Sequence, residues 1–252
     1  MPSIDRAREA LGQVFFQRCF YLFVGLLALL AAALFLDPTP RSRALLNGLN
    51  LLLDICAVAA IGRSRWSFIV ATLLAIPAML FQLRAFITDD ATQLMYGWTF
   101  NAALYIVTIG YLMRYVFHRD VITADKLYGA ASGYLMLGAL WAFGYSIVEH
   151  LVPGSYSIGG TVKTPSFAEM LYFSITVLTS TGFGDMVPVL RQARGLCVFE
   201  QLTGALFLAI LIARLAGVYP PPPPPEPHGA AESQTPRFIR RLRERTRTPP
   251  PT

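Results

Sequence analysis

Thr179-Ser180-Thr181-Gly182-Phe183-Gly184-Asp185 is the stretch on which the reading of this chain turns. Glycines at alternate positions can take the φ > 0 conformations that other residues avoid. Framed by hydroxyl residues and closed by an acid, such a run can turn successive backbone carbonyls toward one axis. Carbonyl oxygens stacked in that way replace the water shell of a monovalent cation. Immediately upstream, Ser166-Phe167-Ala168-Glu169 has the Ser-x-x-Glu spacing of a capping box, which predicts a short helix running to about Leu178. At some twelve residues that helix is too short to cross a hydrocarbon core of about 30 Å and suits a re-entrant element.

Working outward, apolar stretches of membrane-spanning length recur six times. They cover about Phe16 to Leu36, Ala44 to Ile61, Trp66 to Ile87, Leu94 to Phe117, Leu127 to Val148 and Leu196 to Tyr219. The first is longer than the 7–15-residue core of a signal peptide and reads as a retained span. The short helix and the glycine run lie between the fifth and sixth. Irregular backbone at membrane depth is tolerated only when buried in protein or lining a watery cavity, as this run requires. Arg6, Arg8 and Arg18, then Arg63 and Arg65, then Arg119 and Lys126, alternate as cytoplasmic flanks, with Arg41 and Arg43 as exceptions. Both termini then lie inside and Asp185 outside.

At these residues the chain resembles the potassium-channel superfamily, whose filter reads T-V-G-Y-G-D where this sequence has Ser180, Thr181, Gly182, Phe183, Gly184 and Asp185. The resemblance covers about Val121 to Tyr219 as span, short helix, filter and span. Together with the six apolar stretches it implies an all-α membrane protein with six transmembrane helices, a re-entrant pore helix and a selectivity-filter loop between the fifth and sixth. It also implies potassium ions on the carbonyls of Ser180 to Gly184, with Ser180 forming the innermost site. Thr176, Thr179, Tyr172, Phe173 and Asp185 would support the filter, although each aromatic could equally be ordinary helix packing. Four strands are needed around the axis and one chain supplies one, so a homotetramer of closed symmetry follows. The domains implied are a flank (1–15), a four-helix domain (16–120), a pore domain (121–219) and a disordered tail (220–252).

Two positions depart from the family. Thr181 replaces a valine and Phe183 a tyrosine. Carbonyl ligation needs neither side chain, but loss of the tyrosine hydroxyl loosens the filter's anchoring. Gly204 lies in the middle of the last span, where the family bends its inner helix; a small residue for close packing is the other reading. Glu200, an acid inside a span, either hydrogen-bonds the short helix from behind or adds charge near the ion path. Asp54 is a second intramembrane acid, for which Arg114 or buried water is the candidate partner. Arg114 is the one arginine between Tyr96 and Phe117, so the fourth span lacks a voltage sensor's array. Pro77 marks a kink in the third.

Composition agrees with a lipid-facing surface. Hydrophobic residues make up 54% and charged residues 14%, against about a quarter in an ordinary chain. The net charge of +6 gathers on Arg237, Arg240, Arg241, Arg243, Arg245 and Arg247, beyond the run Pro220 to Pro225. Basic residues on such a tail suit anionic headgroups rather than nucleic acid. Cys19, Cys56 and Cys197 have neither disulfide nor metal spacing. The expectation is a passive, potassium-selective tetrameric channel of a cell or bacterial inner membrane, with no catalytic residues and no cofactor beyond the permeant ion. The alternatives are a non-selective cation channel on the same scaffold, a transporter subunit (which needs four such loops in one chain), or a membrane scaffold with a vestigial pore.

Overall fold

The computed structural model describes residues 18–37, 39–61, 65–118 and 123–218. The N-terminal flank, the start of the first apolar stretch, Arg63, Arg119, and the proline-rich basic tail lie outside the described residues. Among the described residues seven helices follow in order: α1 (Arg18–Phe35), α2 (Pro40–Ile61), α3 (Arg65–Thr88), α4 (Ala91–Val116), α5 (Ala124–Leu151), α6 (Phe167–Leu178) and α7 (Arg191–Val218). Three short strands lie around α6: β1 (Tyr156–Ile158), β2 (Thr161–Val162) and β3 (Met186–Pro188).

The helix starts carry legible local chemistry. Pro40 opens α2 where a missing N–H costs nothing, and Thr39 and Ser42 exchange backbone-to-hydroxyl bonds of 2.8 and 3.2 Å across it. Asp90 caps α4 through Thr92 N, and Thr123 caps α5 through Lys126 N. The predicted capping box forms in full: Ser166 accepts from Glu169 N, and Glu169 reaches back to Ser166 N at 2.7 Å. Pro77 sits inside α3, which stays helical from Arg65 to Thr88.

Among the described residues four helices are long and apolar enough to cross a membrane: α2, α3, α5 and α7. The sequence led to an expectation of six. Of the other two, α1 is described over 18 residues, a length of roughly 27 Å. The 26 residues of α4 include Gln93, Asn101, Thr108 and Arg114, which dilute its apolar character. α6, with 12 residues, is the short apolar helix expected.

A small sheet of very short strands adds to this mostly helical chain. It runs in the order β2-β1-β3, antiparallel throughout, with Ile158 facing Thr161 on one side and Met186 on the other. The β1–β2 turn is Gly159-Gly160, with φ of 56° and 81°. That pair of positive φ values is what a two-residue hairpin needs.

The core sits where α5 meets α1, α4 and α6. Phe143 of α5 stacks on Phe167 at 5.1 Å and meets Tyr105 edge-on at 5.4 Å, so one ring joins α4, α5 and α6. Gly138 lets α6 come close: a Cβ there would lie 2.6 Å from Ile175 Cδ1. The N-terminus of α1 is held by Asp125, which accepts from Cys19 N at 3.2 Å and from the Tyr115 hydroxyl at 2.9 Å.

Candidate functional site

The fold suspends Thr179–Asp185 between the C-terminus of α6 and the start of β3. Both ends are tied. On the α6 side, the carbonyl of Thr176 accepts from Thr181 N at 2.9 Å and from Gly182 N at 3.2 Å, and Ser180 N donates to Val177 O. On the β3 side, the carbonyl of Asp185 accepts from Gly159 N at 2.8 Å, and Met186 N donates to the Asp185 side chain.

Between those ends the backbone alternates in hand. Ser180, Gly182 and Gly184 have φ of 57°, 57° and 79°, while the residues between them keep negative φ. The left-handed region is easy for glycine and costly for serine, so Ser180 is held there by its surroundings. Its hydroxyl accepts from Gln201 Nε2 of α7 at 3.4 Å. The amides of 181 and 182 are thus turned toward α6. Among the described residues none of the carbonyls of Ser180 to Gly184 accepts a hydrogen bond. Every residue from Thr179 to Asp185 is exposed.

The expected supporting side chains divide into two groups. Tyr172 reaches the segment, donating to Asp185 Oδ2 at 2.9 Å and lying parallel to the Phe183 ring at 6.3 Å. Phe173 points the other way, into a buried trio with Tyr145 and Tyr156. The Thr179 hydroxyl donates to Ile175 O and lies 2.8 Å from that of Thr181, while the Thr176 hydroxyl donates within α6 to Phe173 O.

Glu200 is fully buried behind this assembly. Its carboxyl meets the Ser174 hydroxyl of α6 at 2.5 Å and the Tyr145 hydroxyl of α5. Gly204, one turn further along α7, lies against the end of α6, where a Cβ would sit 2.5 Å from Leu178 O. The same carbonyl accepts from the Tyr134 hydroxyl at 3.3 Å. Asp54 stands apart in the four-helix region. It is 1% exposed and neither carboxylate oxygen has a hydrogen-bond partner among the described residues, so the pair with Arg114 does not form.

Glu149, Lys163 and Ser174 were not singled out from the sequence. Glu149, near the end of α5, accepts from Gly154 N and Ser155 N at 3.0 and 2.9 Å and so sets the entry to the sheet. Lys163 pairs with Glu169 at 3.1 Å, fastening the hairpin to the first turn of α6. Burial acts to raise the Glu169 pKa, but bonds from Ser166 and Lys163 outweigh it and hold the carboxyl below its ordinary value. Arg214 donates to Phe117 O and His118 O at 3.4 and 3.3 Å, placing a cation on the carbonyl end of α4. Ser174 was the available signal, a hydroxyl on the buried face of an apolar helix. Glu149 and Lys163 act on partners five or six positions away through loop geometry that no motif announces, and Arg214 depends on contacts distant in sequence.

Residues 135–219, about a third of the chain, match a protein-family model described as ion channel. The match begins within α5 and takes in the sheet, α6, the 179–185 segment and α7. Searches among curated proteins and among solved structures return no match. The family match and the apolar helices indicate an integral membrane protein with an ion-channel domain, a transport protein and not an enzyme.

Proposed function

We propose that four copies of this chain form a potassium-selective channel in which the carbonyls of Ser180, Thr181, Gly182, Phe183 and Gly184 replace the hydration shell of the passing ion. One observation carries this reading: a strip of unpaired, exposed backbone carbonyls, alternating in φ, inside the part of the chain that matches ion channels. Exposed carbonyls in a membrane protein need a partner, and a cation on a symmetry axis supplies one. The oligomer also accounts for α7. Val198, Phe199, Leu202, Leu206, Ile210 and Ile212 are all exposed in the single chain, and neighbouring copies and lipid would cover them. The C-terminal ends of four α6 helices would then favour a cation at the centre.

In this reading α6 is a re-entrant pore helix. All six apolar stretches span, both termini are cytoplasmic, and Asp185 faces outside a bacterial inner membrane. The basic tail rests on anionic lipid headgroups. Phe183 bears on selectivity. Without a hydroxyl, its ring is held by stacking on Tyr172, so a weaker preference for potassium over sodium is the second reading.

Purified protein recorded in a planar bilayer with mixed potassium and sodium decides between them. A reversal potential following the potassium gradient supports the proposal, and one indifferent to the cation supports the non-selective channel. Gly182→Ala places a Cβ at φ 57°, a conformation costing about 1–2 kcal/mol for an L-residue. It should abolish selective conduction while leaving the assembled particle intact. Equal conduction by variant and wild type would remove the assignment of this segment.

A further inference from the structure

Glu200 joins three helices through short oxygen–oxygen contacts, and each such contact needs one hydrogen. Glu200 Oε1 lies 2.5 Å from Ser174 Oγ. Ser174 Oγ lies 2.6 Å from the Gly138 carbonyl oxygen of α5. Glu200 Oε2 meets the hydroxyl of Tyr145. Three contacts therefore need three protons. Tyr145 supplies one, Ser174 supplies one, and the Gly138 carbonyl can only accept. With Glu200 ionised, the single Ser174 proton would have to serve two acceptors, leaving two oxygens in close contact with no hydrogen between them. A proton on Glu200 completes the set: Glu200 donates to Ser174, Ser174 donates to Gly138 O, and Tyr145 donates to Glu200.

The surroundings agree with that count. Glu200 is fully buried, and among the described residues no basic side chain pairs with it. The other titratable groups within its electrostatic reach are Tyr134 and Tyr145 from α5, Tyr156 from β1 and Cys197 from α7 itself. Each of these is uncharged in its ordinary form at neutral pH. α6 presents only the Ser174 hydroxyl to it; Tyr172 of the same helix turns outward to Asp185. An unpaired carboxylate out of water is far costlier than a neutral acid.

We propose that Glu200 is a permanently protonated positioning residue, which holds α6 against α5 and α7 as a hydrogen-bond donor and adds no charge to the ion path. The functional half of this statement rests on the reading of Ser180–Gly184 as that path. The protonation itself does not. Glutamine offers a donor and an acceptor in the same outline as a protonated carboxyl, so Glu200→Gln should stand in for it, whereas Glu200→Ala removes both bonds.

The test is infrared difference spectroscopy of the full chain in lipid, wild type minus Glu200→Gln. The expected result is a protonated-carboxyl C=O band, absent from the variant and unchanged across the pH range in which exposed carboxyls titrate. A carboxylate band in its place at neutral pH would overturn the proposal. Ion flux is read in parallel. Glu200→Gln should keep wild-type flux and reversal potential, and Glu200→Ala should lose flux or selectivity. Loss of conduction in Glu200→Gln, with the assembled particle intact, would overturn the positioning role. If wild type itself passes no ion, the channel reading fails while the infrared band still decides the proton.

Discussion

Replacing Gly204 by alanine probes the contact between α7 and the end of α6. A Cβ at position 204 would stand 2.5 Å from Leu178 O and 2.9 Å from Leu178 Cδ1. An ordinary carbon–oxygen approach is about 3.3 Å, so one of the two helices must retreat by roughly 0.8 Å. The obstacle is a backbone carbonyl that already accepts from Tyr134, so no side-chain rotation relieves it. Overpacking of this kind costs about 1–3 kcal/mol. Against it stands the gain of about 0.5–1 kcal/mol from alanine over glycine in a helix. The net loss is about 0–2.5 kcal/mol, and a value near the middle of that range, about 1 kcal/mol, lowers the melting point by roughly 2–4 °C in a chain of this length. Gly110→Ala is the control, since nothing lies within 4 Å of its Cβ position; it should keep or raise the melting point. The assay is thermal unfolding of the purified protein in detergent, followed by circular dichroism. If Gly204→Ala melts at or above wild type while Gly110→Ala behaves as stated, the packing argument is refuted and a bending role alone is left for Gly204.

Three further outcomes can be checked. Asp54→Leu should raise thermal stability, because two buried oxygens without partners are removed and each such group costs about 1–3 kcal/mol; a fall in melting point would show that the carboxyl has a partner. The bonds that hold the Glu169 pKa below its ordinary 4.5 contribute stability that is full above 4.5 and lost as the pH falls through the lowered value. The acid limb of a melting-point profile should therefore be shallower in Glu169→Gln, and an unchanged limb would count against the Lys163 and Ser166 bonds. Finally, Arg114 is the only basic residue of α4. One charge moved across 100 mV yields about 2.3 kcal/mol, so a current–voltage series should show shallow voltage dependence; several gating charges per subunit would contradict this.

Much of the helical architecture is legible in the sequence, because an uninterrupted apolar run has few ways to satisfy its backbone. The start of α6 was readable to the residue from Ser166 and Glu169, since a capping box is a local device. The sheet was not. Its strands are two or three residues long, too short for alternation to show, although Gly159-Gly160 between Ile158 and Thr161 was a hairpin signal. At the site, the unusual backbone of Gly182 and Gly184 followed from residue type, whereas Ser180 in the same region did not. Glu200 stood out as an acid in an apolar run, but its partner Tyr145 lies 55 positions away. No periodicity links residues on two separate helices. Arg214 reaches the end of α4 across 97 and 96 positions, a contact that no local pattern announces.

The Gly159-Gly160 corner makes this face of the molecule open to engineering. Nothing lies within 4 Å of either Cβ position, and side chains along a strand alternate with a period of two. Extra residues grafted there in even numbers would lengthen the ribbon and keep Tyr156 turned inward, while an odd number would invite a slip that turns it out. A reporter loop or label at that corner would ride on the ribbon's tip, one hydrogen bond from Asp185, and could signal movement of the segment without touching it.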